Sequence, residues 1–156
     1  MNGKTACRIY LIRHGETANA GEVCFNGHFD VDLSDQGKAQ SRRIAEALKN
    51  LPIKAIYSSD LKRTQIGAQY VAVEHDLKHT PCEELRELAF GDWEGLSVAE
   101  VNRKYPDKLK ERLNNIEQFH VEGGESFFQL RDRVIPKFNE IISMHPHDSI
   151  IILCHG

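Results

Sequence analysis

Side chains able to handle an anion follow directly on the apolar segments of this 156-residue chain. Arg13 and His14 come after residues 7–12. Ser58, Ser59 and Asp60 come after residues 53–57, with Arg63 one turn later, and His155 comes after residues 149–154. Two guanidinium and two imidazole groups brought to one crevice form a local anion site, and the planar forks of arginine suit phosphate oxygens. Phosphate is therefore the expected ligand. Glu83, Glu84, Glu87 and Asp92 crowd one stretch, and composition alone does not choose among them.

These residues converge only if the apolar runs are neighbouring strands. Apart from Arg8, residues 7–12 are apolar and rich in Ile and Leu, the pattern of a strand buried on both faces in a parallel sheet. Residues 53–57 and 149–154 read the same way, with a shorter extended piece near residues 80–82. Helices alternate with them. Ser34 stands at an N-cap before Ala39, Ile44, Ala45 and Leu48, and that helix closes at Asn50-Leu51-Pro52. Ser58, Ser59 and Asp60 offer caps for a second helix, to about Asp76. Ser97 caps a third, to Lys104, and Pro106 opens a fourth. Ser126 with Gln129 forms a capping box for a long helix to about Met144, with a kink expected at Pro136. The expected fold is an α/β three-layer sandwich with a mostly parallel central sheet, in which ligands bind beyond the carboxyl ends of the strands.

Composition narrows the function classes. Twenty Lys and Arg against twenty-three Asp and Glu give a net charge of −3, with no basic stripe for nucleic acid. No apolar run approaches a bilayer span, and residues 1–6 hold no export signal, so a cytoplasmic single domain over residues 1–156 is expected. The four cysteines are scattered, His145 and His147 lack further ligands, and no metal or cofactor motif is present. Cys7 and Arg13 match the bare C-x5-R spacing of cysteine phosphatases. The intervening Arg8-Ile9-Tyr10-Leu11-Ile12 has no glycine to wrap a phosphate and reads as a strand. Trp93, Phe127 and Phe128 are expected in the core, and Lys108, Lys110, Glu111 and Arg112 on a solvated helix face.

Several blocks carry a family resemblance. Arg13-His14-Gly15-Glu16-Thr17 resembles the signature of the histidine phosphatase superfamily, which includes phosphoglycerate mutases and many phosphatases. Phe25-Asn26-Gly27-His28-Phe29-Asp30 with Leu33 and Gly37, and Ser58-Ser59-Asp60-Leu61-Lys62-Arg63-Thr64, resemble its next two elements. Arg86-Glu87 with Gly91-Asp92-Trp93-Glu94-Gly95, then Gly123-Gly124-Glu125-Ser126, and the closing Cys154-His155-Gly156 complete the order. Where many members carry an asparagine six residues after the nucleophile, this chain has Ala20, with Asn19 one place early.

The resemblance implies a phosphoglycerate mutase-like fold and a role for each matching residue. His14 is the implied nucleophile and Glu87 the proton donor, with His155 the second catalytic histidine. Arg13, Arg63, Asn26 and Gly27 are the implied phosphate holders. No metal or cofactor is implied, and the partner is a small-molecule phosphate ester. The segment between Glu87 and His155 lacks the long insertion of cofactor-dependent mutases, so a phosphatase similar to α-ribazole and broad-specificity phosphatases is expected. Mutase-type transfer and a non-catalytic phosphate-binding domain are the alternatives. Asn102, Arg103, Lys104 and Tyr105, in a cap over residues 97–121, are the expected substrate-side residues. Members of the family continue past this point into a helix and usually a strand, so the chain is expected to lack that final segment.

Overall fold

The computed structural model describes residues 6–156, so the stretch read for an export signal lies, but for Ala6, outside them. Four strands form one parallel sheet: β1 (Arg8–Arg13), β2 (Ile53–Ser59), β3 (His79–Cys82) and β4 (Ser149–Cys154), in the order β1-β4-β2-β3. Two helices follow the first two strands, α1 (Asp35–Leu48) and α2 (Lys62–Glu74). Later come the short α3 (Val98–Lys104) and α4 (Lys108–Asn114), then the long α5 (Phe127–Met144).

The last strand in sequence is central in space. β4 pairs with β1 on one side and β2 on the other, and Ile150, Ile151, Ile152 and Leu153 are all buried. Its alternation sets the two cores. Ile151 and Leu153 pack with Ala45 of α1 and Ala68, Val71 and Ala72 of α2. Ile150 and Ile152 pack with Tyr57 and with Ile141, Val134 and Phe138 of α5. The sheet is thus covered by α1 and α2 on one face and α5 on the other, giving the three layers. A third cluster of Trp93, Val101, Phe119 and Val121 holds the cap formed by α3 and α4.

The expected burial of the first strand on both faces needs correction. Leu11 is 63% exposed, because β1 ends up as an edge strand with one side of its outer face uncovered among the described residues. Phe127 and Phe128, expected in the core, lie on the exposed side of the first turn of α5.

Local chemistry explains most helix starts. Ser34 accepts from Gly37 N, and Ser97 with Glu100 and Ser126 with Gln129 form complete capping boxes. Pro136 does not end α5. α2 departs from expectation: Ser58 and Ser59 remain in β2, and Leu61 takes the N-cap position without a side-chain cap bond. Thr64 Oγ1 instead donates to the carbonyl region of Ser59 and Leu61. Pro106 lies in the turn before α4, which starts two residues later behind Asp107.

Candidate active site

Parallel strands send all their carboxyl ends to one edge, and the residues singled out in the sequence meet there. A cavity of about 290 Å3 is lined by Arg13, His14, Asn19, Asn26, Gly27, Arg63, Glu87 and Phe90. The ring of His155, at the end of β4, lies 5.3 Å from that of His14, centroid to centroid. A larger cavity of about 440 Å3, lined in part by Trp93, contains none of these groups.

His14 follows β1 and keeps its ladder register through a bond from its backbone N to Cys154 O. Its Nδ1 lies 2.7 Å from the Gly15 carbonyl oxygen. A carbonyl can only accept, so Nδ1 carries the proton and Nε2 holds the free lone pair. The loop is held by close backbone packing. A Cβ on Gly37 would sit 2.0 Å from Glu16 O, and one on Gly15 would sit 2.4 Å from Gly37 O, so neither can carry a side chain without moving the loop from α1. Burial, aided by Arg63 and Arg13, lowers the His14 pKa to about 4 against the bond to Gly15. The imidazole is therefore neutral, and nucleophilic, at ordinary pH.

Arg63, one turn into α2, is 1% exposed. Its two terminal nitrogens donate to Phe29 O (3.0 Å) and Gly27 O (2.6 Å), which leaves Nε buried without a partner in the protein. Both ring nitrogens of His155 are likewise buried and unpartnered. Burial, with Arg63 and His14 nearby, drives the His155 pKa down to about 2. Such orphaned polar atoms are costly unless an anion satisfies them. Gly27 is forced by its surroundings: its φ is +47°, and an added Cβ would meet Glu94 Oε1 at 2.6 Å. Asn26 exchanges side-chain bonds with Asn19, at 2.7 and 3.3 Å, so Asn19 does face the pocket that Ala20 also borders.

Geometry chooses among the acids. Glu83 pairs with Arg86 and Glu84 with Lys137, while Asp92 lines the larger cavity. Glu87 alone of the four lines the cavity with His14, and burial raises its pKa despite a bond from Leu88 N and the nearby Arg63. A carboxyl held toward its protonated form is suited to give up a proton. Asp60, offered as a helix cap, instead binds Arg86, which holds its carboxylate below the usual range. Cys7 and Arg13 stand at opposite ends of β1, about 20 Å apart at the rise of an extended strand, so the cysteine spacing builds no site. His145 bonds Tyr57 Oη and Asp148 away from this edge.

Two arginines escaped the sequence reading. Arg133 of α5 donates to the carbonyls of Glu84, Arg86 and Glu87 and pairs with Glu125, tying the acidic stretch to the helix. Its position seven residues after Ser126 in a helical run gave no signal of that role. Arg112, read as part of a solvated face, is half-buried and stacks over Phe90 and Phe127. Conversely, Asn102, Arg103 and Lys104 are exposed, and Tyr105 packs near Trp93 and lines the larger cavity. None of the four borders the cavity of His14.

The constellation can bind a dianion and present a neutral imidazole to it. No helix among the described residues is long and apolar enough to cross a membrane. The chain is 36% identical over 151 residues to a phosphoglycerate mutase-like protein of Arabidopsis thaliana, matching 95% of this chain and 66% of that one, just under two thirds of its length. It is 30% identical over 148 residues to phosphoserine phosphatase 1 of Hydrogenobacter thermophilus, covering 95% of this chain and 70% of that protein. Its fold superposes on the α-ribazole phosphatase of Shigella flexneri with a TM-score of 0.86 and 27% identity, over 95% of this chain and 73% of that one. A family model matches residues 9–156, and the chain belongs to the histidine phosphatase superfamily (branch 1).

Proposed function

We propose that this protein is a metal-independent phosphomonoesterase acting on a small-molecule phosphate ester through a phosphohistidine at His14. The reading rests on one observation: a neutral His14, its tautomer set by Gly15, faces the unpartnered buried donors of Arg63 and His155. Nε2 of His14 attacks phosphorus, forming an N–P bond as the P–O bond to the alcohol breaks. Glu87 gives its proton to the departing oxygen. In the second half, Glu87 as carboxylate takes a proton from water, which attacks phosphorus and frees His14 and inorganic phosphate. Arg13, Arg63 and His155 hold the three equatorial oxygens, with Asn26 and the backbone at Gly27 closing the pocket. His155 is neutral in the free site and donates a hydrogen bond, and an arriving phosphate dianion favours its charged form.

Hydrolysis is favoured over transfer because the cap is short: α3 and α4 span few residues and pack around Trp93 beside the cavity, leaving the phosphohistidine within reach of water. The resemblance and the relatives' names set the test panel, including α-ribazole 5′-phosphate, phosphoserine and 3-phosphoglycerate. Phosphate release is expected from at least one of them in excess EDTA. Isomerisation of 3-phosphoglycerate with little phosphate release would establish the mutase alternative instead.

A further inference from the structure

Resting on the reading of Glu87 as proton donor, we infer that His28 is a positioning residue. Its ring holds the peptide that aims the Glu87 carboxyl, and so ties the acid to the turn that orients Arg63. His28 Nε2 lies 2.9 Å from the carbonyl oxygen of Glu87. A carbonyl can only accept, so Nε2 carries the proton and donates. The same oxygen accepts from Arg133 Nη2 at 2.8 Å. The N–H of that peptide unit belongs to Leu88, and it donates to Glu87 Oε1 at 2.8 Å. A peptide unit is planar, so fixing its oxygen fixes the direction of its N–H, and with it the carboxyl oxygen that the N–H holds. One donor would leave the plane able to tilt about a single contact. A second, arriving from a different segment, removes that freedom.

The other end of His28 is anchored as well. Its backbone N donates to Glu94 Oε1 at 2.8 Å, an oxygen that also accepts from Phe90 N at 3.1 Å. The carbonyls on either side of it, Gly27 O and Phe29 O, accept from the two terminal nitrogens of Arg63. Residues 27–29 therefore hold the phosphate-binding arginine through their carbonyls and the acid through the ring between them. The proposed chemistry needs that link, because the donor must stand within hydrogen-bond reach of the leaving oxygen while Arg63 holds the phosphoryl group, and small misplacements are costly in rate. Loss of the His28 donor leaves the Glu87 carbonyl its bond from Arg133, so the aim of the acid suffers before the fold does.

The leaving group separates aim from fold. Benzyl alcohol needs a proton as it departs, whereas p-nitrophenolate leaves without one, and their phosphate esters are similar in size. The quantity to measure is kcat/KM for both esters on the unaltered protein and on His28→Gln, His28→Asn and Glu87→Gln. A Gln amide reaches the place of Nε2, and an Asn amide only that of Nδ1. His28→Asn is expected to lower kcat/KM about 10-fold or more for benzyl phosphate and no more than about twofold for p-nitrophenyl phosphate, a partial copy of the selective loss in Glu87→Gln. His28→Gln is expected to restore most of the benzyl phosphate rate. Equal losses on the two esters in His28→Asn, or a His28→Gln protein no better than His28→Asn, overturn the inference, since a merely structural histidine would slow both esters alike. If Glu87→Gln itself slows both esters equally, the donor reading falls and the role of His28 with it. A selective loss in Glu87→Gln that His28→Asn does not share removes this inference alone.

Discussion

Burial at the sheet edge sets the working protonation states residue by residue. His14 is pushed down to about 4 while Glu87 is pushed up, so a neutral imidazole and a protonated carboxyl, the states the proposed mechanism uses, coexist over a window bounded by these two groups. The signs differ. Acid protonates His14 and removes the lone pair, so kcat/KM falls about tenfold per unit below its pKa. Base removes the Glu87 proton and lowers the rate on the other side. A bell-shaped profile is expected once the substrate's own ionisation is taken into account, with its acidic limb near pH 4, and Glu87→Gln should abolish the alkaline limb along with most of the rate. An acidic limb near 6.5 would mean that His14 is not buried as described. Gly27 gives a second prediction at this scale. Gly27→Ala places a Cβ against Glu94 and strains a backbone at φ +47°, costing about 1–2 kcal/mol and displacing the carbonyl that orients Arg63. Its melting temperature and its affinity for phosphate should fall together.

At the scale of elements, α5 positions the acid as well as covering the sheet. Arg133 gathers three carbonyls of the stretch from Glu84 to Glu87 and the Glu125 carboxylate. Arg133→Met leaves Glu125 and those carbonyls without their donor, so a loss of about 3 kcal/mol is expected in denaturant unfolding. The catalytic signature is a fall in kcat larger than any rise in KM, because the proposed role of Glu87 is proton transfer in the transition state. A KM effect alone would show that Arg133 serves only the fold. This layer was hard to read in advance. The capping boxes at Ser97 and Ser126 are local, and the sequence spells them out, whereas the partners of Arg133 lie more than forty residues away for three of its bonds. Arg112 was hidden for the same reason, since its ring partners Phe90 and Phe127 flank it from other segments. Phe127 and Phe128 misled in the opposite direction, because apolar type does not say which side of a helix's first turn meets the sheet.

On the scale of the whole molecule, strand order does the assembling. β4, last in sequence, inserts between β1 and β2, which brings His155 beside His14 and places Arg63 across from both. Alternation of strands and helices was enough to read a parallel sheet and therefore a common edge for Arg13, His14, Arg63 and His155. It was not enough to read the order, and so the exposure of Leu11 on an edge strand was missed. The centrality of β4 has an energetic consequence. Ile151 is fully buried among α1, α2 and β2 partners, and Ile151→Ala is expected to cost about 2–5 kcal/mol in unfolding experiments, while Leu11→Ala should cost far less.

Covalent capture of the phosphoryl group at His14 is the event that most directly separates the proposed chemistry from any other. The protein is to be mixed with a 32P-labelled ester it hydrolyses, quenched in alkali, where phosphohistidine survives, and digested for peptide mapping. Label is predicted on the peptide carrying His14, decaying with free phosphate release and absent from the His14→Ala protein. Turnover without label on that peptide, or label persisting on another residue such as Cys7 when His14 is replaced, would contradict it.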